Sequence, residues 1–198
     1  MIKLSKMSGK LAGLQGVNTN PLENEYCNKM SKVAGSICAQ CYSRKMVATY
    51  RKSAAKGWSE NARELRELIP QAELPRTTHA LVRFHAHGEL QNPAHLVNFV
   101  NIARHNPQST FALWTKRKDL IAPMLGSLKN LIMVYSNPIV DKPMSETPAG
   151  FDKVFNVVTK AYTTEHPDLR INCGQNKCID CQRCYKRDST EIINELLK

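Results

Sequence analysis

Apolar residues recur along the chain in two rhythms, and the two alternate. Val47, Tyr50, Ala54, Trp58, Ala62, Leu65 and Ile69 follow one another at intervals of three or four, the spacing of one face of an α-helix. Gly57 is the point at which that helix would kink or divide. ALVRFHAHGE (80–89) opens with an apolar, β-favouring run and closes on polar residues, as a buried strand does at its tip. LQNPAHLVNFVNIARH then reads as a helix: Asn92 caps it, Pro93 takes its first position, and Leu96, Val97, Val100 and Ala103 share a face. Strands are expected again in TFALWTKR (110–117), NLIMVYSN (130–137) and KVFNVVTK (153–160), with a short helix near 118–128. The tail DSTEIINELLK has a cap at Asp188 or Ser189 with Glu191, and puts Ile192, Ile193, Leu196 and Leu197 on a helical face.

Strands alternating with helices predict an α/β fold with a parallel sheet. Ligands in such sheets sit at the carboxyl ends of the strands. There His85, His87, Glu89, Thr115, Lys116, Ser136, Asn137, Thr159 and Lys160 are expected to converge.

With 198 residues, 42% hydrophobic and 23% charged, the chain suits one domain and excludes disordered and fibrous classes. No run approaches the roughly 18 apolar residues of a membrane span, and the start MIKLSKMSGKLAG lacks the core of a secretory signal. A cytoplasmic location without membrane contact is therefore expected, and there thiols stay reduced. Lys and Arg outnumber Asp and Glu by 28 to 17, a formal net charge of +11. Arg44, Lys45, Arg51, Lys52, Lys56, Arg63 and Arg66 fall opposite the apolar helix face, as either a solvated face or a nucleic-acid surface.

The seven cysteines form two groups: Cys27, Cys38 and Cys41, then Cys173, Cys178, Cys181 and Cys184. Core cysteines would scatter. The rear group, CGQNKCIDCQRC, reads C-x4-C-x2-C-x2-C in turn-favouring sequence, so four thiolates can close around a zinc ion or a 4Fe-4S cluster. Its repeated two-residue gaps favour iron and sulfide, with zinc as the alternative. The front group offers only three thiolates. It therefore suits zinc with a bound water, or a four-iron cluster with one iron free for a ligand, unless a histidine or a rear cysteine completes a structural site.

Two resemblances follow from these residues. A cysteine loop ending in C-x2-C ahead of a helix, then a strand ending in Gly88 and Glu89 ahead of a second helix, resembles the radical S-adenosylmethionine (radical SAM) architecture. That likeness implies a partial (βα)n barrel in which Cys27, Cys38 and Cys41 hold a cluster whose free iron binds S-adenosylmethionine. Gly88 and Glu89 would then be the last two residues of the motif that contacts the cofactor's amine, with His87 in place of its first glycine. KVAGSICAQCYSRK, VRFHAHGELQNPAHLVNFVNIA, FALWTKR, NLIMVYSN and KCIDCQRCY are similar, in order, to a bacteriophage family known as gene product eighty-eight, over most of residues 27–185. Members of that family show His-Asp-Ser-Gly-Asp where this chain has His85 to Glu89. A phage origin would make the location the host cytoplasm.

The expected organisation is an α/β metal-cluster domain over 1–166, with a cysteine-rich segment and C-terminal helix over 167–198 packed on it. The leading expectation for function is an iron-sulfur, radical SAM-like enzyme. Its front cluster is open, the rear one auxiliary, His85 and His87 catalytic, and a reductant such as flavodoxin or ferredoxin its electron source. Its substrate class is taken to be nucleic acid. The alternatives are a nucleic-acid-binding metalloprotein without catalysis and an electron-transfer module.

Overall fold

A computed structural model describes residues 1–121 and 128–197. Its strands are β1 (Ser5–Lys6), β2 (Gln15–Val17), β3 (Leu81–Phe84), β4 (Thr110–Thr115), β5 (Leu131–Ser136), β6 (Lys153–Val158) and β7 (Ile192–Leu196). They form one seven-stranded sheet in sequence order, antiparallel at β1–β2 and parallel throughout the rest. The helices are α1 (Glu25–Met30), α2 (Tyr42–Ala48), α3 (Lys52–Glu64), α4 (Pro93–His105), α5 (Lys160–Glu165) and α6 (Cys178–Cys181).

Register divides the sheet into two faces. Val17, Phe84 and Leu113 are paired across β2, β3 and β4 and point to one side, while Gly16, Arg83 and Ala112 point to the other. α4 covers the first side. Asn92 caps that helix by accepting from the His95 N–H, with Pro93 at its start, as the sequence indicates. Its Phe99 stacks on Phe84 at 4.1 Å between ring centroids, Phe84 lies 4.9 Å from Phe111, and Val82, Leu96, Ile102 and Leu113 complete the core.

The second face is covered mainly by irregular chain. Leu81, Ala112 and Trp114 meet Leu11 and Leu14 from the N-terminal turn, and Cys178, Ile179, Cys184 and Tyr185 from the C-terminal segment. Further along, Ile132, Val134, Phe155, Val157 and Ile193 meet Ile37, Cys173 and Cys184. Both cysteine-bearing segments thus pack on one side of the sheet.

The structure corrects three expectations. The tail is a strand: β7 lies parallel to β6, with Ile193 opposite Phe155 and Asn194 opposite Asn156. The spacing of Ile192, Ile193, Leu196 and Leu197 is helical, and in a strand it puts two of them on each face; pairing with the otherwise open edge of β6 overrides it. The long helix is two, α2 and α3, and the break falls at 49–51, where Thr49 leaves helical geometry; Gly57 lies inside α3. Near 118–128 a single 3-10 turn, Lys118–Leu120, is present, and residues 122–127 lie outside the described residues. β1 and β2 are additions that the hydrophobic pattern did not signal.

Candidate functional site

The front cysteines stand at the carboxyl ends of the strands because the loops around them are tied down by side-chain caps. Asn24 is buried; its Oδ1 accepts from the Cys27 N–H at 3.0 Å and its Nδ2 donates to the Glu89 carbonyl at 2.9 Å. This bond fixes the start of α1 against the end of β3. Ser36 Oγ accepts from the Cys38 N–H at 3.1 Å. The same loop is pinned to the exit of β5 by Ile37 N–H to Pro138 O at 2.8 Å and Val140 N–H to Gly35 O at 2.9 Å. Cys41 occupies the N-cap position of α2, without a side-chain cap bond.

Burial pushes the Cys27 and Cys38 thiols above their usual range. Glu89 and the neighbouring thiols add to that at Cys27, whereas the Lys116 ammonium favours the thiolate at both. Lys116 Nζ donates to Ser136 Oγ at 3.1 Å.

Glu89 is 3% exposed. Its Oε1 accepts from the Leu90 N–H at 2.8 Å and from the Thr115 hydroxyl, and its Oε2 accepts from the Lys116 N–H at 2.8 Å. Burial raises its carboxyl, with Lys116 and these donors opposing. Gly88 has φ +92°, and a Cβ there would lie 2.6 Å from the Thr19 carbonyl oxygen; only glycine lets the exits of β2 and β3 approach this closely. His85 has φ +58° and is buried against His95 and Phe99, with neither ring nitrogen hydrogen-bonded. Burial holds it neutral, far below the ordinary histidine range. His87 stacks on Trp58 at 4.4 Å between ring centroids and shares a 2.8 Å hydrogen bond with Ser43 Oγ; burial lowers it to about 4.

The strand-end residues therefore divide. Glu89, Thr115, Lys116 and Ser136 form one group beside the front thiols. Asn137 instead joins a buried ladder: its Nδ2 donates to Asn156 Oδ1 at 3.0 Å, and Asn156 Nδ2 donates to Asn194 Oδ1 at 3.0 Å. Thr159 donates to Asp141 at 2.9 Å, and Lys160 begins α5.

At the rear, Cys178 and Cys181 bound the single turn of α6, and Gln182 turns the chain through φ +53° toward Cys184. Cys173 bridges to Glu195 of β7. Burial pushes the Cys184 thiol to about 12, with the other three thiols adding to the rise and Arg83 opposing it. Lys10 Nζ donates to Cys173 Sγ at 3.2 Å and pairs with Glu195 at 2.6 Å. Arg83 is buried at 9% exposure, with its guanidinium carbon 3.6 Å from the Trp114 ring centroid. Its Nε has no hydrogen-bond partner, and among the described residues it has no ion pair. The sequence did carry a signal for Arg83, a charge inside the apolar run LVRF; Lys10 and Trp114 had none.

All seven cysteines are free, and among the described residues no three His, Cys, Asp or Glu side chains meet as a metal-ion site. Beside α1 a cleft of about 580 Å³ opens onto the start of α4, lined by Glu25, Tyr26, Lys29, Arg66, Arg117 and Asp119 among others.

A family model described as Gene product 88 matches residues 4–193. The chain belongs to the Gene product 88 family. No curated protein and no solved structure matches it. The match reaches β1 and β2 at one end and the first two residues of β7 at the other, and it takes in both thiol groups. The radical SAM likeness rests on the residues alone. Among the described residues no helix is long and apolar enough to cross a membrane.

Proposed function

We propose that this Gene product 88 protein is an iron-sulfur redox protein of radical SAM-like type. In this reading Cys173, Cys178, Cys181 and Cys184 close an auxiliary four-iron cluster, and Cys27, Cys38 and Cys41 hold a second cluster with one open iron. The observation that carries it is Arg83. A guanidinium buried without a carboxylate is costly, and here the groups facing it include Cys178 and Cys184, two thiols that burial pushes above their usual range. A four-thiolate cluster, formally −2, supplies the missing anion, and Lys10 already donates to one of its ligands.

At the front, three thiols stand over the carboxyl ends of sequentially ordered parallel strands, with the Lys116 ammonium favouring the ionised form of Cys27 and Cys38. When bound, such a cluster supplies single electrons, and through an open iron it supplies radical chemistry on S-adenosylmethionine. The chain's own residues hold the site. Asn24 and Ser36 fix the thiol-bearing backbone, and Lys116 balances charge. Glu89 is a positioning residue in this scheme, locking the ends of β3 and β4 together through its three donors. His85 fills the core beneath that junction, while His87, on the α2–α3 side, is the histidine nearer to solvent. The cleft beside Tyr26 carries both carboxylates and cations, a lining suited to a zwitterionic amino-acid group.

The test is electron paramagnetic resonance of anaerobically reconstituted, dithionite-reduced protein, with and without S-adenosylmethionine. Two four-iron signals are expected. Cys27→Ala should abolish the one that shifts on addition of the cofactor, and Cys178→Ala the one that does not. A protein that takes up zinc but no iron would overturn the proposal.

A further inference from the structure

The strongest unassigned surface surrounds the front thiols. Between Glu25 and Glu60 the chain has no acidic residue, yet it carries Lys29, Lys32, Arg44, Lys45, Arg51, Lys52 and Lys56. All of these but Arg44 are exposed, and among the described residues none forms a salt bridge. Arg44 is tied inward, donating to Pro21 O at 2.9 Å and Asn28 Oδ1 at 2.6 Å. The same stretch presents Tyr42 and Tyr50, 64% and 65% exposed, with their hydroxyls 2.9 Å apart. Tyr42 directly follows Cys41 and opens α2, whose Met46 and Val47 are buried on its inner side.

Each feature alone is ordinary: charged helix faces are usually solvated, and single exposed aromatics are common. Their combination is not. Two exposed aromatic rings joined through their hydroxyls, on a stretch of chain that carries cations and no acidic residue, match what a single-stranded nucleic acid offers: unpaired base faces on a phosphate backbone. A duplex keeps its base faces stacked inside and gains nothing from the rings.

We propose that α2, the turn after it and the front cysteine loop bind single-stranded nucleic acid. Tyr42 and Tyr50 stack on bases, and Lys29, Lys32, Lys45, Arg51 and Lys52 contact phosphates beside Cys41. This names the partner of the front site proposed above, but the surface itself does not depend on a cluster being present.

The experiment is fluorescence anisotropy of the full chain, both as purified and after iron reconstitution. The probes are labelled single-stranded DNA and RNA oligonucleotides of one sequence and the corresponding DNA duplex, across a salt series. At least one single strand should bind about tenfold or more tighter than the duplex, and the DNA and RNA arms show which sugar is preferred. Tyr42→Ala and Tyr50→Ala should each weaken single-strand binding by about tenfold. The Phe variants should keep it within a few-fold, which separates stacking from folding. Lys45→Gln with Lys52→Gln should reduce the log–log salt slope by about 1.4. Equal affinity for duplex and single strand with both Ala variants unaffected, or no binding even at low salt, would overturn the proposal. Persistence of binding in iron-free protein would leave it standing if the cluster reading failed.

Discussion

Single residues on the second face of the sheet carry charges that the polypeptide itself does not balance, and Arg83 shows this best. Even a buried ion pair can often be replaced by apolar side chains of similar volume with a neutral or stabilising effect of about 1–4 kcal/mol, so a buried cation without a carboxylate has less stability still to lose. The stacking of its guanidinium on Trp114, worth about 2 kcal/mol when desolvated, works against that gain. The Arg83→Met variant is therefore expected to leave the urea midpoint of metal-free protein unchanged or raised. In loaded protein the same change removes a cation from beside an anionic centre, so iron content and the reduction potential of the rear signal should both fall. A metal-free variant that is plainly weaker, with the loaded potential unmoved, would make Arg83 a packing residue only.

At the scale of elements, the junction of β3 and α4 stores an acid sensitivity. His85 and His95 are buried there and kept neutral by desolvation, His95 down to about 3 from an ordinary 6.5. Below about 6.5 the unfolded chain takes up protons that the native state refuses, so stability is full above that pH and is lost as pH falls. Each histidine contributes at most about 1.4 kcal/mol per pH unit. Glu89 has the opposite sign, since burial raises its carboxyl and lets the native state bind a proton before the unfolded chain does. One carboxyl offsets part of what two histidines lose, so the urea midpoint should drop between pH 7 and pH 5.5, and His95→Gln should flatten that drop. A midpoint independent of pH over this range would contradict the assignment.

The same junction shows what the sequence could disclose. α4 was legible from Asn92, Pro93 and its apolar face, and β3 to β6 from their apolar runs, because local preference and tertiary position agree there. β2 is three residues around Gly16, too short and too polar to announce itself, and β7 needed the edge of β6 to decide its form. Both cysteine groups could be read from spacing. That Ile37 of the front loop and the rear cysteines pack on one face of the sheet, with Arg83 facing the rear group, depends on strand register, which no local pattern encodes.

For the molecule as a whole, strands in sequence order mean that each crossover adds one neighbour, and the last crossover differs from the rest. From Thr159 to Glu191 the chain has α5, the single turn of α6 and a short 3-10 turn, and it reaches the sheet mainly through Cys173, Cys178, Ile179, Cys184 and Tyr185. Three of those five are thiols. β7 is held on one side by β6 and on the other by Asn172 and Cys173, whose N–H groups both donate to the Asn194 carbonyl at 3.1 Å. A segment so poor in apolar contacts is expected to lie at the low-stability end of the fold, and a cluster bound by its four thiolates would cross-link it. Chelation should therefore raise hydrogen exchange selectively in 170–185 and β7, while β3, β4, β5 and α4, enclosed by the phenylalanine core, keep their protection. Cys178→Ser should reproduce that pattern without chelator. Uniform protection in loaded and stripped protein would show that the last crossover docks through its apolar side chains alone, and that the rear thiols have no part in holding β7 on the sheet.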